Sequence, residues 1–197
     1  MKEGALSSTL PTCARSGPII RICMLLLLML SVGTGITRGN ASADVLDPGF
    51  TESLEKFHGH TCAGSLVGAR LGHAARSALK AAGGEGTLRA KYFDHSCPVD
   101  GIQVSAGTTY GNRTIEVEDR DEQRLLLTAE KNGRQAEARL TKAAEEKGNL
   151  SRELSKKARG FPIGTPERLR LEKEVGEIFA WFRTAPDADV VLVRMTR

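Results

Sequence analysis

Three of the chain's four histidines and two of its four cysteines fall in two short segments, His58-Gly59-His60-Thr61-Cys62 and Asp94-His95-Ser96-Cys97-Pro98. Imidazole and thiolate are the ligands of zinc, copper, iron and nickel sites, so this concentration points to a metal or redox centre. Neither segment holds two cysteines, and the spacing is therefore not that of a zinc finger. His58, His60 and Cys62 can converge on one ion only if the chain bends between them, which Gly59 permits. Cys97 would add a second thiolate. The full set of His58, His60, Cys62 and Cys97 suits zinc or copper, with zinc the leading transition-metal candidate. If only three bind, an open position remains for water or substrate. Cys62, Cys97 and Asp100 are the candidate catalytic groups, and Asp94, His95 and Asp100 can orient ligands or move protons.

A second reading competes with the first. In an oxidising compartment, two cysteines commonly mean one disulfide. Closing the loop from Cys62 to Cys97 would contribute about 3 to 4 kcal/mol in the chain-entropy picture. The protein would then be a non-enzymatic accessory or binding module.

The compartment is read from the start of the chain. Lys2, Arg15 and Arg21 precede an apolar run from Ile22 to Val32, which is followed by Ala41-Ser42-Ala43. Those are the parts of a secretory signal peptide over residues 1–43, with an uncleaved anchor as the alternative. The run is short for a permanent span, so no stable membrane insertion is expected once the leader is removed. A periplasmic or secreted location follows, and Cys13 and Cys23 leave with the leader. The net charge of +4 then loses most of its source, because four basic residues and one acidic residue precede Asp44. With 5% aromatic residues and near-neutral charge, nucleic-acid binding is set aside.

The elements that must position the half-sites can also be read. After a short linker over residues 44–53, one domain is expected over residues 54–197. Gly64 to Ala82 reads as a helix ended by Gly83-Gly84. Gly64, Gly68 and Gly72 share one face, which calls for close packing there, backbone against backbone or against a ligand. A homodimer is one arrangement such a face would allow. His73 reads as an ordinary surface or boundary residue.

Leu88 to Phe93 is a strand that delivers the second half-site, and Pro98 opens a short helix with Ser96 or Cys97 at its cap. Both cysteines therefore stand at helix starts, where the dipole favours a thiolate. Gly107 to Asn112 is a turn, and Ile115 to Val117 alternates as a half-buried strand. Asn132-Gly133 marks a hairpin between Gln123–Glu130 and Arg134–Lys142, although the second arm also admits a helix. Ala143 to Gly160 reads as a solvated helix or mobile linker. Thr165-Pro166-Glu167 starts another helix with Leu169, Val175, Ile178, Phe179 and Phe182 toward the core, Trp181 joining them. Val190 to Met195 is a final strand. The fold class is α+β: a single domain with a mainly antiparallel sheet and packed helices.

Two blocks carry a resemblance. Phe57-His58-Gly59-His60-Thr61-Cys62-Ala63-Gly64, followed by Gly68-Ala69-Arg70, resembles the opening motif of the FmdE family, named for a component of formylmethanofuran dehydrogenase. Cys97-Pro98-Val99-Asp100-Gly101-Ile102-Gln103, continuing through Gly107, Thr109, Tyr110, Gly111 and Asn112, resembles its second motif. The likeness runs from about Leu54 to Met195. It implies an FmdE-like α+β domain with a histidine and cysteine pocket at His60, Cys62, Cys97, Asp100 and Gln103. It also implies metal binding and, for archaeal members, association with a molybdenum or tungsten enzyme that interconverts carbon dioxide and a formyl carrier. Thr108 stands where many members carry a third cysteine. Asn112 lies near a position that is lysine in many members. The sequence ends at Arg197, short of the cysteine-rich zinc-binding tail of some members. The combined expectation is an exported protein binding a metal in a His/Cys pocket, with a redox or metal-handling role and a small-molecule substrate as partner.

Overall fold

The computed structural model describes residues 46–196. The leader over residues 1–43, with Cys13 and Cys23, and the terminal Arg197 lie outside the described residues. Among those described, no helix is long and apolar enough to cross a membrane.

The first helix, α1 (Pro48–His58), takes up the part of the expected linker from Pro48 onward. Its start follows from Asp47, whose Oδ1 accepts from the Phe50 amide at 2.7 Å, and from proline in the first turn. Gly59 ends it in the left-handed region, φ +87°, where a Cβ would be strained. Three residues later α2 (Ala63–Ala81) begins, capped by Cys62 and reciprocally by Ser65.

Strand β1 (Leu88–Phe93) runs into α3 (Pro98–Ala106), which leads to β2 (Ile115–Val117). The hairpin of β3 (Glu122–Ala129) and β4 (Gln135–Leu140) follows, then α4 (Lys142–Ala158), α5 (Pro166–Thr184), the one-turn α6 (Asp187–Val190) and β5 (Val191–Met195). The sheet order is β2-β1-β3-β4-β5. Only β1 and β2 pair in parallel, with α3 as their crossover, so the sheet is mixed but mainly antiparallel.

Alternation sorts the sheet's two faces. Tyr92, Leu125, Leu127, Ala136 and Ala138 are fully buried or nearly so, in one core cluster with Leu66, Leu71 and Leu79 of α2. The alanines of β4 leave room for α2 to approach, and that packing holds this segment as a strand where its composition also admitted a helix. On α5 the buried stripe is Leu171, Val175, Ile178 and Phe182, whereas Leu169, expected in the core, is 54% exposed. The stripe at Leu171, four residues before Val175, puts Leu169 on the opposite face. Arg70 is wholly buried and donates to the Phe182 and Ala185 carbonyls and to Asp187, tying α2 to the end of α5. His73, part-exposed on the same helix, bonds Asp187 at 3.2 Å.

The contact that matters most for function is α2 against α3. A Cβ on Gly68 would sit 1.9 Å from the Pro98 carbonyl oxygen, and one on Gly101 would sit 2.1 Å from that of Ser65. On Gly72 it would lie 2.1 Å from the Ser105 hydroxyl. The expected close packing on the glycine face is thus met by another helix of the same chain.

Candidate metal centre

That packing brings the two helix starts together. At Gly64 a Cβ would be 2.7 Å from Cys97 Cβ and 3.7 Å from Cys62 Sγ, so the glycine is the gap through which the cysteines meet. His58, on the last turn of α1, is returned toward Cys62 by the left-handed Gly59. The ligand atoms of His58, Cys62 and Cys97 all lie within 4.8 Å of one another. Both cysteines are free thiols.

The grouping differs from the fourfold set read from the sequence. His60 is outside the trio and exposed, its ring 4.7 Å from that of His58. Past the αL residue, chain direction no longer follows the two-residue alternation that would have aligned His58, His60 and Cys62. His95 is exposed and also outside the group. Asp94 accepts from the Ser96 hydroxyl rather than from a ligand. Thr108 is buried, its hydroxyl without a hydrogen-bond partner.

Asp100, from the first turn of α3, does what a ligand-orienting carboxylate must. His58 Nδ1 donates to Asp100 Oδ2 at 2.6 Å, which leaves Nε2 facing Cys62 Sγ at 3.5 Å. Gln103 Nε2 donates to Asp100 Oδ1 at 3.3 Å, while Gln103 Oε1 accepts from the Tyr110 amide at 2.9 Å. The turn after α3 therefore fixes the carboxylate, and the carboxylate fixes the imidazole.

The two thiols are not equivalent, although both stand at helix starts as expected. Burial pushes the Cys62 thiol up, but hydrogen bonds from the Ser65 amide and hydroxyl, from His58 and from Cys97 outweigh it and hold the group below the ordinary thiol range. Cys97 makes no side-chain cap bond. Its thiol is held above the ordinary range by burial and by the neighbouring Cys62 charge. Burial lowers the His58 pKa, yet its bonds to Asp100 and Cys62 bring it above the usual imidazole value. The metal-free site thus favours a thiolate at Cys62 facing an imidazolium at His58.

One consequence is accessible to labelling. At neutral pH, limiting iodoacetamide is expected to modify Cys62 before the more exposed Cys97, because the thiolate is the nucleophile. Raising the pH through the range where Cys97 ionises should erase the preference. Peptide mass spectrometry of metal-free protein reads both, and faster modification of Cys97 at neutral pH would contradict the assignment.

The trio stands at the edge of a cleft of about 930 Å³, whose wall includes His60, Cys62 and Cys97. Its opposite wall is the face of α4 bearing Ser151, Arg152, Ser155 and Lys156. The sequence reading placed this segment in solvent or a mobile linker. Its recurrence of small residues at Gly148, Ser151 and Ser155 was the signal that one face is covered.

A family described as "FmdE, Molybdenum formylmethanofuran dehydrogenase operon" matches residues 57–192. The chain belongs to the FmdE family. The match begins at Phe57 beside the first half-site and includes every residue of the trio. Among solved structures, this FmdE domain is similar to a tungsten formylmethanofuran dehydrogenase (FmdE)-like protein from Syntrophus aciditrophicus. The two share 19% identity over 76% of this chain and 71% of the other, with a TM-score of 0.50. That likeness supports the α+β fold. No curated protein matches the chain.

The donor set of the FmdE domain fits a transition metal. Two sulfurs and one nitrogen from three residues leave one position of a tetrahedron for an outside ligand. When bound, the ion would supply Lewis acidity at that position. The chain's part is to hold Nε2 of His58 free through Asp100, to keep Cys62 ionised through Ser65, and to bring Cys97 within reach through Gly64.

Proposed function

We propose that this FmdE domain holds a transition metal, zinc foremost, through His58, Cys62 and Cys97, and presents its open position to a small molecule in the adjoining cleft. The observation that carries the reading is the convergence of those three ligand atoms, with a carboxylate already orienting the imidazole, at the edge of a cleft large enough for a substrate. Zinc leads because a Cys2His set with an open fourth position suits it. The leader-like residues 1–43 support work outside the cytoplasm.

Competition of the full chain against a chromophoric chelator tests the ligand assignment. His58→Ala is expected to weaken zinc binding by more than about 100-fold, and Asp100→Asn by about 10 to 100-fold. His60→Ala should leave it within about threefold, since His60 is outside the trio. Equal losses at His58 and His60 would restore the fourfold set. Zinc binding unaffected by His58→Ala would remove the trio, and a Cys62–Cys97 disulfide would become the better account of the pair.

A further inference from the structure

We propose that the cleft binds a small organic anion, its carboxylate or phosphate group held by Arg152, Lys156 and Arg159 of α4 while its body extends toward the cysteines. The role of that ligand rests on the metal reading above; its binding does not.

The three cations recur at i, i+4 and i+7 and so form one stripe, about 10 Å long by helical rise. All three line the cleft that Cys62 and Cys97 also line. None has a carboxylate within ion-pair distance among the described residues; Arg152 donates only to the Asn149 side chain. On the neighbouring helix, by contrast, Arg168 and Arg170 are neutralised in place by Glu172 and Glu174. Basic side chains late in a helix also complement its dipole. Lys157, as well placed for that, does not line the cleft, so the dipole does not account for the stripe's direction.

The rest of the wall defines what else the ligand carries. Ser151 and Ser155 offer hydroxyls beside the cations, and Val67, Val175 and Phe179 give an apolar surface for a carbon skeleton. The acids of the cleft are placed elsewhere. Asp94 is engaged by Ser96, Asp121 lies in the turn before β3, and Glu145 precedes Arg152 by seven residues, about two turns of α4. An anion at the stripe therefore meets positive charge first, and guanidinium groups suit planar or tetrahedral oxyanions.

Isothermal titration of the zinc-loaded full chain with benzoate, inorganic phosphate and neutral benzamide tests the proposal. At least one anion should bind, and which one does distinguishes carboxylate from phosphate recognition; benzamide should bind at least tenfold more weakly than benzoate if carboxylate is the group. Arg152→Gln/Lys156→Gln/Arg159→Gln should weaken the anion at least tenfold while zinc content stays at the parent level. The three side chains are exposed and glutamine is helix-compatible, so the fold should persist, and Arg152→Gln alone gives a milder second variant. Binding of neither anion, equal binding of benzamide and benzoate, or a triple variant that binds like the parent would overturn the proposal. Anion binding that survives in His58→Ala protein lacking zinc supports the stripe independently, because zinc content is read on the same samples and reports separately on the metal centre.

Discussion

Cys62→Ser is expected to abolish tight zinc binding while leaving the domain folded. The cysteine has two roles that serine separates. As a ligand, Cys62 offers the thiolate that Ser65 and His58 stabilise, and a serine hydroxyl does not ionise near neutral pH. Loss of an orienting group alone costs about 10 to 100-fold in metal affinity, so loss of the ligand should exceed about 100-fold. As an N-cap, however, Cys62 accepts from the Ser65 amide at 3.3 Å, and serine is among the best residues for that task. Cys62→Ala removes both roles and should cost a further 0.5 to 2 kcal/mol, about a cap's worth. Thermal melts of the metal-free variants read the cap, and chelator competition reads the ligand. Similar melts for the two variants would deny the cap, and zinc affinity retained in Cys62→Ser would deny the ligand.

Gly68→Ala should be the most damaging single methyl in the domain. Its Cβ would meet the Pro98 carbonyl carbon and Cα at 2.6 Å and the oxygen at 1.9 Å, all of them backbone atoms that cannot rotate aside. Helix α3 must move, and it carries Cys97 at its start and Asp100 in its first turn. Overpacking of this kind costs about 1 to 3 kcal/mol and more where backbone blocks the way; the upper end is expected. For a domain of this size that is a fall in melting temperature of about 6 to 12 °C. Zinc affinity should drop as well, because Cys97 is displaced from His58 and Cys62. Gly176→Ala supplies the contrast: nothing lies within 4 Å of its Cβ position on α5, so the better helix former should stabilise by up to about 1 kcal/mol. A Gly68→Ala protein that melts with the parent would mean the helices do not touch as described.

These expectations show which parts of the site can be read from residues alone. Pro98 and the Gly64, Gly68, Gly72 series announce a helix start and a close helix contact, because proline and glycine act through local sterics that need no partner. The choice between His58 and His60 is not local. It depends on Gly59 entering the left-handed region and on Asp100, 42 residues away, reaching Nδ1 of His58. Helix α1 was legible in the Asp47-Pro48 pair, a cap followed by proline, although the short stretch resembled a linker. The cleft wall was the hardest part. In α4 the buried positions are only Ala144, Ser151 and Ala158, seven apart, and the intervening charges match those of a helix in open solvent. What distinguishes the two is tertiary: α5 packs on one side of α4 and the cysteine-bearing helix starts lie across the cleft from it.

X-ray absorption at the zinc edge of the loaded full chain is the most direct measurement. The structure requires two sulfur scatterers at about 2.3 Å and one imidazole nitrogen at about 2.0 Å, with a light atom completing the shell. One sulfur with two imidazoles, or a shell of oxygen and nitrogen alone, would contradict the centre formed by His58, Cys62 and Cys97.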